Sequence, residues 1–341
     1  MTASRGAPSK GSTTPPTPLN DAPLGGFFLP EKVSFQKPAL SLDEQLNLLE
    51  SRGLTISDHA LARGYLEHIS YYRLSGYTRY FTRADDDKHE QFRDGVTFND
   101  VINLYIFDRR LRSLMAEAFE RVEIAVKGQL AYHGSTLIGP FWMTDPANFD
   151  AGSHGKIAKI IEEACRPPRS GKHKQQFLEA FFRKYSDPVP PAWMLTEVMS
   201  FHGASLIFNH SRGSVRVPVA KAFAVHQSIL ESWLHSLVFA RNVCAHHGRF
   251  WNRRFTIEPK IPKNYEGVWP ESSRNRLYVT CCILHHLLSG LGGDTTWTPR
   301  LRELISNRPN VPLDQMGFPE DWDDLPFWGF ERELAQSAAA E

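Results

Sequence analysis

Apolar positions along this chain recur at spacings of three and four almost everywhere, while runs of period-two alternation are scarce. That pattern predicts helices throughout and an all-α fold. Ser41 and Glu44 form a capping-box pair ahead of Leu42, Leu46 and Leu49, and Gly53 supplies a stop. A second helix is expected from about residue 57, carrying Leu61, Tyr65, Leu66, Ile69 and Tyr72. The longest is expected over residues 98–133, where Leu104, Phe107, Leu111, Leu114, Ala118, Val122 and Ala125 make one apolar stripe. Its opposite face holds Arg109, Arg110, Arg112, Glu117, Glu120 and Lys127, and Gly134 with the IGPFW turn is expected to end it.

A less regular stretch follows, with a basic loop at Arg166–Arg169 and Lys172–Lys174 and a firm breaker in DPVPP at 187–191. Helices are expected to resume over residues 193–208 and 225–246, the latter with Leu230, Trp233, Leu234, Leu237, Val238 and Cys244 on one side, and again over 273–289. Residues 297–328 read as irregular and aromatic. The resulting map is a Pro/Gly/Ser/Thr-rich tail (1–34), an N-terminal helical extension (35–95), a helical bundle with an inserted basic loop (96–292), and an irregular C-terminal segment with a short tail (293–341). The extension is expected to pack on the bundle, giving one helical domain.

Composition changes this picture in four ways. The chain has 341 residues, 41% of them apolar and 23% charged, enough for a sizeable core. A net charge of +1 provides no global field for a polyanion, so any nucleic-acid surface must be a local patch. No run approaches the ~18 apolar residues of a membrane span, and the N-terminal segment lacks the apolar block of a secretory signal. A cytoplasmic location is expected, with the tail disordered. Cys165, Cys244, Cys281 and Cys282 show no spacing typical of zinc sites or of a disulfide framework, so buried thiols are expected.

The chemistry concentrates in RNVCAHHGRFWNRR, residues 241–254. If the helix reaches His246, then Asn242 and His246 lie four apart on one face, with Arg241 about 100° before Asn242. Arg241 also falls in register with Leu230, Leu234 and Leu237, where a guanidinium needs an anion. A phosphate suits it, because the planar fork grips phosphate oxygens through two parallel bonds. Histidine, with an ordinary pKa of about 6.5, both takes and gives protons near neutrality. RNA carries its own nucleophile, so cleavage needs no metal or other cofactor if the 2′-hydroxyl is deprotonated, the phosphorane stabilised and the 5′-oxygen protonated. One histidine does not readily do both proton transfers; two subunits across a two-fold axis would. Arg249, Arg253 and Arg254 are candidates for the RNA backbone, and Trp251 or Phe250 for base stacking.

Blander roles stay open for each group. Arg241 pairs equally well with Glu231, Glu120 or Glu123; His246 caps a helix end; the three later arginines solvate a loop while Trp251 packs inside. Tyr71, Tyr72, Tyr77 and Tyr80 fit a core better than a base-binding face. Glu197 is a candidate to orient a catalytic group, His247 reads as solvated or structural, and His285 with His286 reads as an exposed and half-buried pair. No further ligands stand near His246 and His247 at metal-site spacing.

RNVCAHHGRFWNR resembles the signature of Abi-like (abortive infection) bacterial proteins, whose C-terminal part belongs to the HEPN superfamily. KPALSLDEQLNLLESRGL, YLEHISYYRLSGYTRYF, FDRRLRSLMAEAFERVEIAVKGQLAYH, GPFWM, PAWMLTEVMSF and MGFPEDW fit the family pattern in the same order, so the resemblance covers roughly residues 35–328. It implies an all-α, HEPN-type four-helix bundle, a metal-independent R-x4-6-H endoribonuclease site, homodimerisation and a role in phage defence. Arg241 and His246 match the two signature residues, and Asn242 the polar residue that follows the arginine. Some relatives act with a small non-coding RNA as partner or antitoxin. The rival expectation is a HEPN-like dimer that binds RNA or protein without cutting it. A third expectation, beside the nuclease and the binder, is a HEPN toxin modified by a neighbouring nucleotidyltransferase.

Overall fold

Helical periodicity becomes helix in the computed structural model, which describes residues 38–167, 175–266, 268–292 and 296–329 together with residues 34, 36 and 171. The helices are α1 (Leu42–Ser51), α2 (His59–Ile69), α3 (Tyr71–Thr78), α4 (Phe98–Leu137), α5 (His154–Cys165) and α6 (Gln176–Lys184). They continue with α7 (Ala192–Val198), α8 (Phe201–His210), α9 (Gly213–Ala222), α10 (Gln227–Ala245), α11 (Leu277–Ser289) and α12 (Trp297–Ser306). Among the described residues there is no strand, only isolated bridges, so the fold is all-α. No helix there is long and apolar enough to cross a membrane. Leu42–Glu341 forms one compact unit; Met1–Ser41 forms another, described only at residues 34, 36 and 38–41. The expected N-terminal tail, most of the expected basic loop (168–170 and 172–174) and the C-terminal tail therefore fall largely outside the described residues.

The large unit is organised by α4, which runs for 40 residues, about 60 Å at 1.5 Å per residue. Its start is fixed by a reciprocal cap: Thr97 Oγ1 accepts from the Asp100 N–H at 3.3 Å, and the Asp100 carboxylate accepts from the Thr97 N–H at 2.8 Å. Two stripes of α4 are buried, and it packs against α3, α7, α8, α9, α10, α11 and α12. The extension reaches it in sequence, α1 on α2, α2 on α3, α3 on α4. In α10 the predicted apolar side is buried at Leu230, Trp233, Leu234, Leu237 and Val238, and the helix packs on α4, α8, α9 and α11.

Several boundaries differ from expectation for local reasons. Gly134 does not end α4; it lies inside it, because the Trp142 indole packs where a side chain would be. A Cβ on Gly134 would sit 2.1 Å from Trp142 Cε2, and Trp142 is buried. Gly134→Ala should therefore lower stability by about 1–3 kcal/mol, as overpacked cores do, read as an earlier urea midpoint; an unchanged midpoint would refute this account of the glycine. The expected helix over 193–208 is two, because Ser200 is extended and its hydroxyl accepts from the Gly203 N–H at 3.1 Å to start α8. The irregular stretch contains α5 and α6, and Gly213 with Pro218 hid α9.

The C-terminal segment is not irregular throughout. It opens with α12, whose Pro299 lies in the first turn, where no helical N–H partner is lost. α12 is fastened to α4: the Trp297 indole N–H donates to the Leu114 carbonyl at 3.0 Å, and Arg300 bonds both Glu117 carboxylate oxygens at 2.8 and 2.7 Å.

His285 is fully buried, not exposed as expected, and His286 is half-buried. His285 Nε2 donates to the Phe327 carbonyl at 3.1 Å, which leaves Nδ1 to accept from the Thr298 hydroxyl at 2.8 Å. Burial lowers its pKa to about 4. Because the folded value lies below the unfolded value of about 6.5, this stabilisation is complete above pH 6.5 and is lost as pH falls towards 4, by about 3 kcal/mol. Chemical denaturation at pH 7 and pH 4.5 should show a smaller acid penalty for His285→Gln than for wild type; equal penalties would disprove it.

Candidate active site

α10 ends at Ala245, and His246 caps it. The His247 N–H donates to the Cys244 carbonyl at 3.0 Å and the Gly248 N–H to the Val243 carbonyl at 2.9 Å, closing the helix with a paired C-terminal turn. That turn needs a left-handed residue, and His247 takes it at φ 55° where glycine is usual. The chain thus reverses immediately after His246, leaving its side chain exposed. Asn242 is exposed too and lies one turn back on the same face.

Arg241 is partly exposed, its side chain at 32%, and lies between two partners. Nη2 donates to Glu123 Oε2 of α4 at 2.9 Å, and Nη1 donates to Asn242 Oδ1 at 3.2 Å. Glu123 also pairs with Lys127 Nζ at 2.7 Å. Of the acids open at the outset, Glu123 is thus the partner; Glu231 pairs with Arg216 instead. A guanidinium has five N–H donors, so these two bonds aim Arg241 and leave donors for an anion.

The loop after α10 is held from beneath by a side chain the sequence reading passed over. Asp108 of α4 is fully buried, and its Oδ1 accepts from the Phe250 N–H at 3.1 Å and the Trp251 N–H at 2.7 Å. Its Oδ2 accepts from the Tyr77 hydroxyl at 2.6 Å and pairs with Arg112. Burial pushes the Asp108 carboxyl up, while Arg112, Tyr77 and the two amides pull it down. Burial, then the Asp108 charge, also raises the Tyr77 hydroxyl. From α3, Arg73 Nη1 donates to the His247 carbonyl at 2.7 Å, and Arg249 Nη1 donates back to the Gly76 carbonyl at 2.7 Å. Arg112 is buried, not on the polar face of α4 where it was expected, and the signal for this hub was present: Asp108 lies four residues after Leu104, within the apolar stripe, and Arg112 four residues further. A buried carboxylate needs such partners.

Between α4, α3 and the end of α10 lies a groove of about 950 Å³, walled by Arg73, Arg109, Glu120, Glu123, Arg241 and His247 among others. The structure therefore brings Arg241 and Asn242 together; His246 sits at the exposed cap one turn after Asn242, and neither it nor Asn242 lines the groove. His247 is not idle, since it lines the groove. Arg249, Arg253 and Arg254 do not line it: Arg249 is engaged with Gly76, Arg253 Nη1 donates to the Arg249 carbonyl at 3.4 Å, and Arg254 is exposed elsewhere, near Arg276. Arg73 and Arg109 supply the charge instead.

Trp251 must be corrected as a base-stacking candidate. It is 0% exposed, edge-on to Tyr80 with ring centroids 5.1 Å apart, and offers no face to a base. Phe250 is equally buried. Of the four tyrosines, Tyr77 is buried and Tyr71 and Tyr80 half-buried, while Tyr72 is 89% exposed. Glu197 is exposed on α7 and does not line the groove. Among the described residues no three His, Cys, Asp or Glu side chains converge as a metal cradle. All four thiols are free, and burial raises Cys244 to about 12 and Cys165 to about 11.

The family model described as "Abi-like protein" matches residues 64–252, a span that includes α3, α4, the groove and the whole 241–252 run. The chain belongs to the Abi-like family. An Abi-like protein is one of abortive-infection type, and here the family region ends within the loop that Asp108 holds. No curated protein matches the chain, and no solved structure matches it.

Proposed function

We propose that this Abi-like protein is a metal-independent endoribonuclease of HEPN type, acting as a toxin in phage defence. His246 is the proton-transfer residue, Arg241 the clamp on the scissile phosphate and its transition state, and Asn242 the group that orients Arg241. The observation that carries this reading is the arrangement at the end of α10. An exposed imidazole stands one turn from an amide already bonded to a guanidinium, and that guanidinium opens onto an arginine-walled groove.

Attack by the 2′-hydroxyl on the adjacent phosphorus breaks the P–O5′ bond, leaving a 2′,3′-cyclic phosphate and a 5′-hydroxyl. One group removes the 2′ proton and another delivers a proton to the leaving oxygen, which a homodimer with its two sites facing each other would provide. Labelled single-stranded RNA incubated with the protein in excess EDTA should yield those ends. Cleavage that stops on chelation would replace this mechanism with a metal-dependent one.

One observation favours a second reading, a dimer that binds RNA without cutting: Glu123 already neutralises Arg241, so that guanidinium does not require a phosphate. RNA binding with no new 5′-hydroxyl ends, under the same conditions, would select it.

A further inference from the structure

A second groove of about 900 Å³ lies on the other flank of α4, walled by Arg109, Arg110, Ser113, Arg300, Glu303 and Asn307 among others. Arg109 and Ser113 also wall the groove at Arg241. The two concavities therefore meet over the exposed ridge of α4, where Arg109, Arg110 and Ser113 face solvent. Among the described residues no ion pair holds Arg109 or Arg110, whereas Arg112, Arg241 and Arg300 each have an acid partner. Both long cations at the junction are thus available to an external anion.

We propose that this junction and the groove beyond it bind the single-stranded RNA that flanks the scissile linkage, a inference that rests on the RNA reading above. The strand passes from the Arg241 groove across α4 at Arg109 and Ser113, and its phosphates then meet Arg110. In a protein of net charge +1, a polyanion needs such a local track, and paired cations contribute little to it. Glu303 stands in the far groove as an opposing charge, so the track is tuned for moderate binding and release.

Arg110 touches only the far groove and is exposed with no partner to lose, so Arg110→Glu leaves fold and site intact. For a 20-nucleotide RNA, fluorescence anisotropy should show binding weakened about tenfold by the charge reversal. The slope of log K against log salt should fall by about one. Glu303→Gln should tighten the same RNA severalfold. For a tetranucleotide, too short to leave the Arg241 groove, both variants should match wild type, and kcat for the long RNA should be unchanged while KM rises in Arg110→Glu.

Wild-type affinity for the long RNA in Arg110→Glu, with cleavage intact, would overturn the track and leave the nuclease standing. Weakened binding in Arg110→Glu by a wild type that never cuts would support the track and sink the nuclease. Failure of wild type to bind any RNA would overturn both.

Discussion

His246→Ala should cut RNA about 10²–10⁴-fold more slowly than wild type, the range that a single proton-transferring group supplies, while binding it with nearly wild-type affinity. The side chain is exposed at the cap of α10, so its removal should change stability by no more than about 0.5 kcal/mol. Arg241→Ala should lower the rate comparably, because it takes away charge stabilisation at the phosphorus. That substitution is also structurally tolerable, since Glu123 keeps Lys127 at 2.7 Å and is not left as a lone half-buried charge. His247→Ala is the discriminating control. Its carbonyl, which Arg73 uses, survives the change, so the rate should stay within a few-fold of wild type. Full cleavage by purified His246→Ala, measured as new 5′-hydroxyl ends, would remove the assigned role; loss in His247→Ala alone would transfer it to the neighbouring ring that lines the groove.

Local features were legible in the sequence and convergent ones were not. The stripe through Leu104, Leu111 and Ala118 announced α4, and Leu230, Leu234 and Leu237 announced α10, because helical periodicity is written in adjacent residues. The Arg241–His246 run was visible for the same reason. The groove was not, since Arg73 and Arg109 reach it from α3 and α4, and no local spacing says which distant face will lie opposite α10. Trp251 shows the opposite failure. An indole among arginines looks like a stacking platform, but the Phe250 and Trp251 amides are pinned to Asp108 and both rings end in the core. α12 was missed because a proline reads as a breaker unless its place in the first turn is known.

Asp108→Ala should be among the most damaging single substitutions outside the proposed chemistry, costing about 3–5 kcal/mol. It would strand the Arg112 guanidinium, 8% exposed, without its counter-charge, and would leave the Phe250 and Trp251 amides and the Tyr77 hydroxyl without their acceptor. Against a typical total of about 5–15 kcal/mol, that is a large share. An ordinary buried ion pair can often be exchanged for apolar residues with little loss. Here the double variant Asp108→Leu/Arg112→Met should recover only part of the deficit, because the two backbone amides still lack an acceptor and each such group costs about 1–3 kcal/mol. Urea unfolding of the singles and the double would give the coupling, and hydrogen exchange at Phe250 and Trp251 should accelerate in both Asp108 variants. The loop that follows His246 would then lose its anchor, so cleavage should fall even though Arg241 and His246 remain. A midpoint for Asp108→Ala within error of wild type would show that the loop is held by something other than this carboxylate.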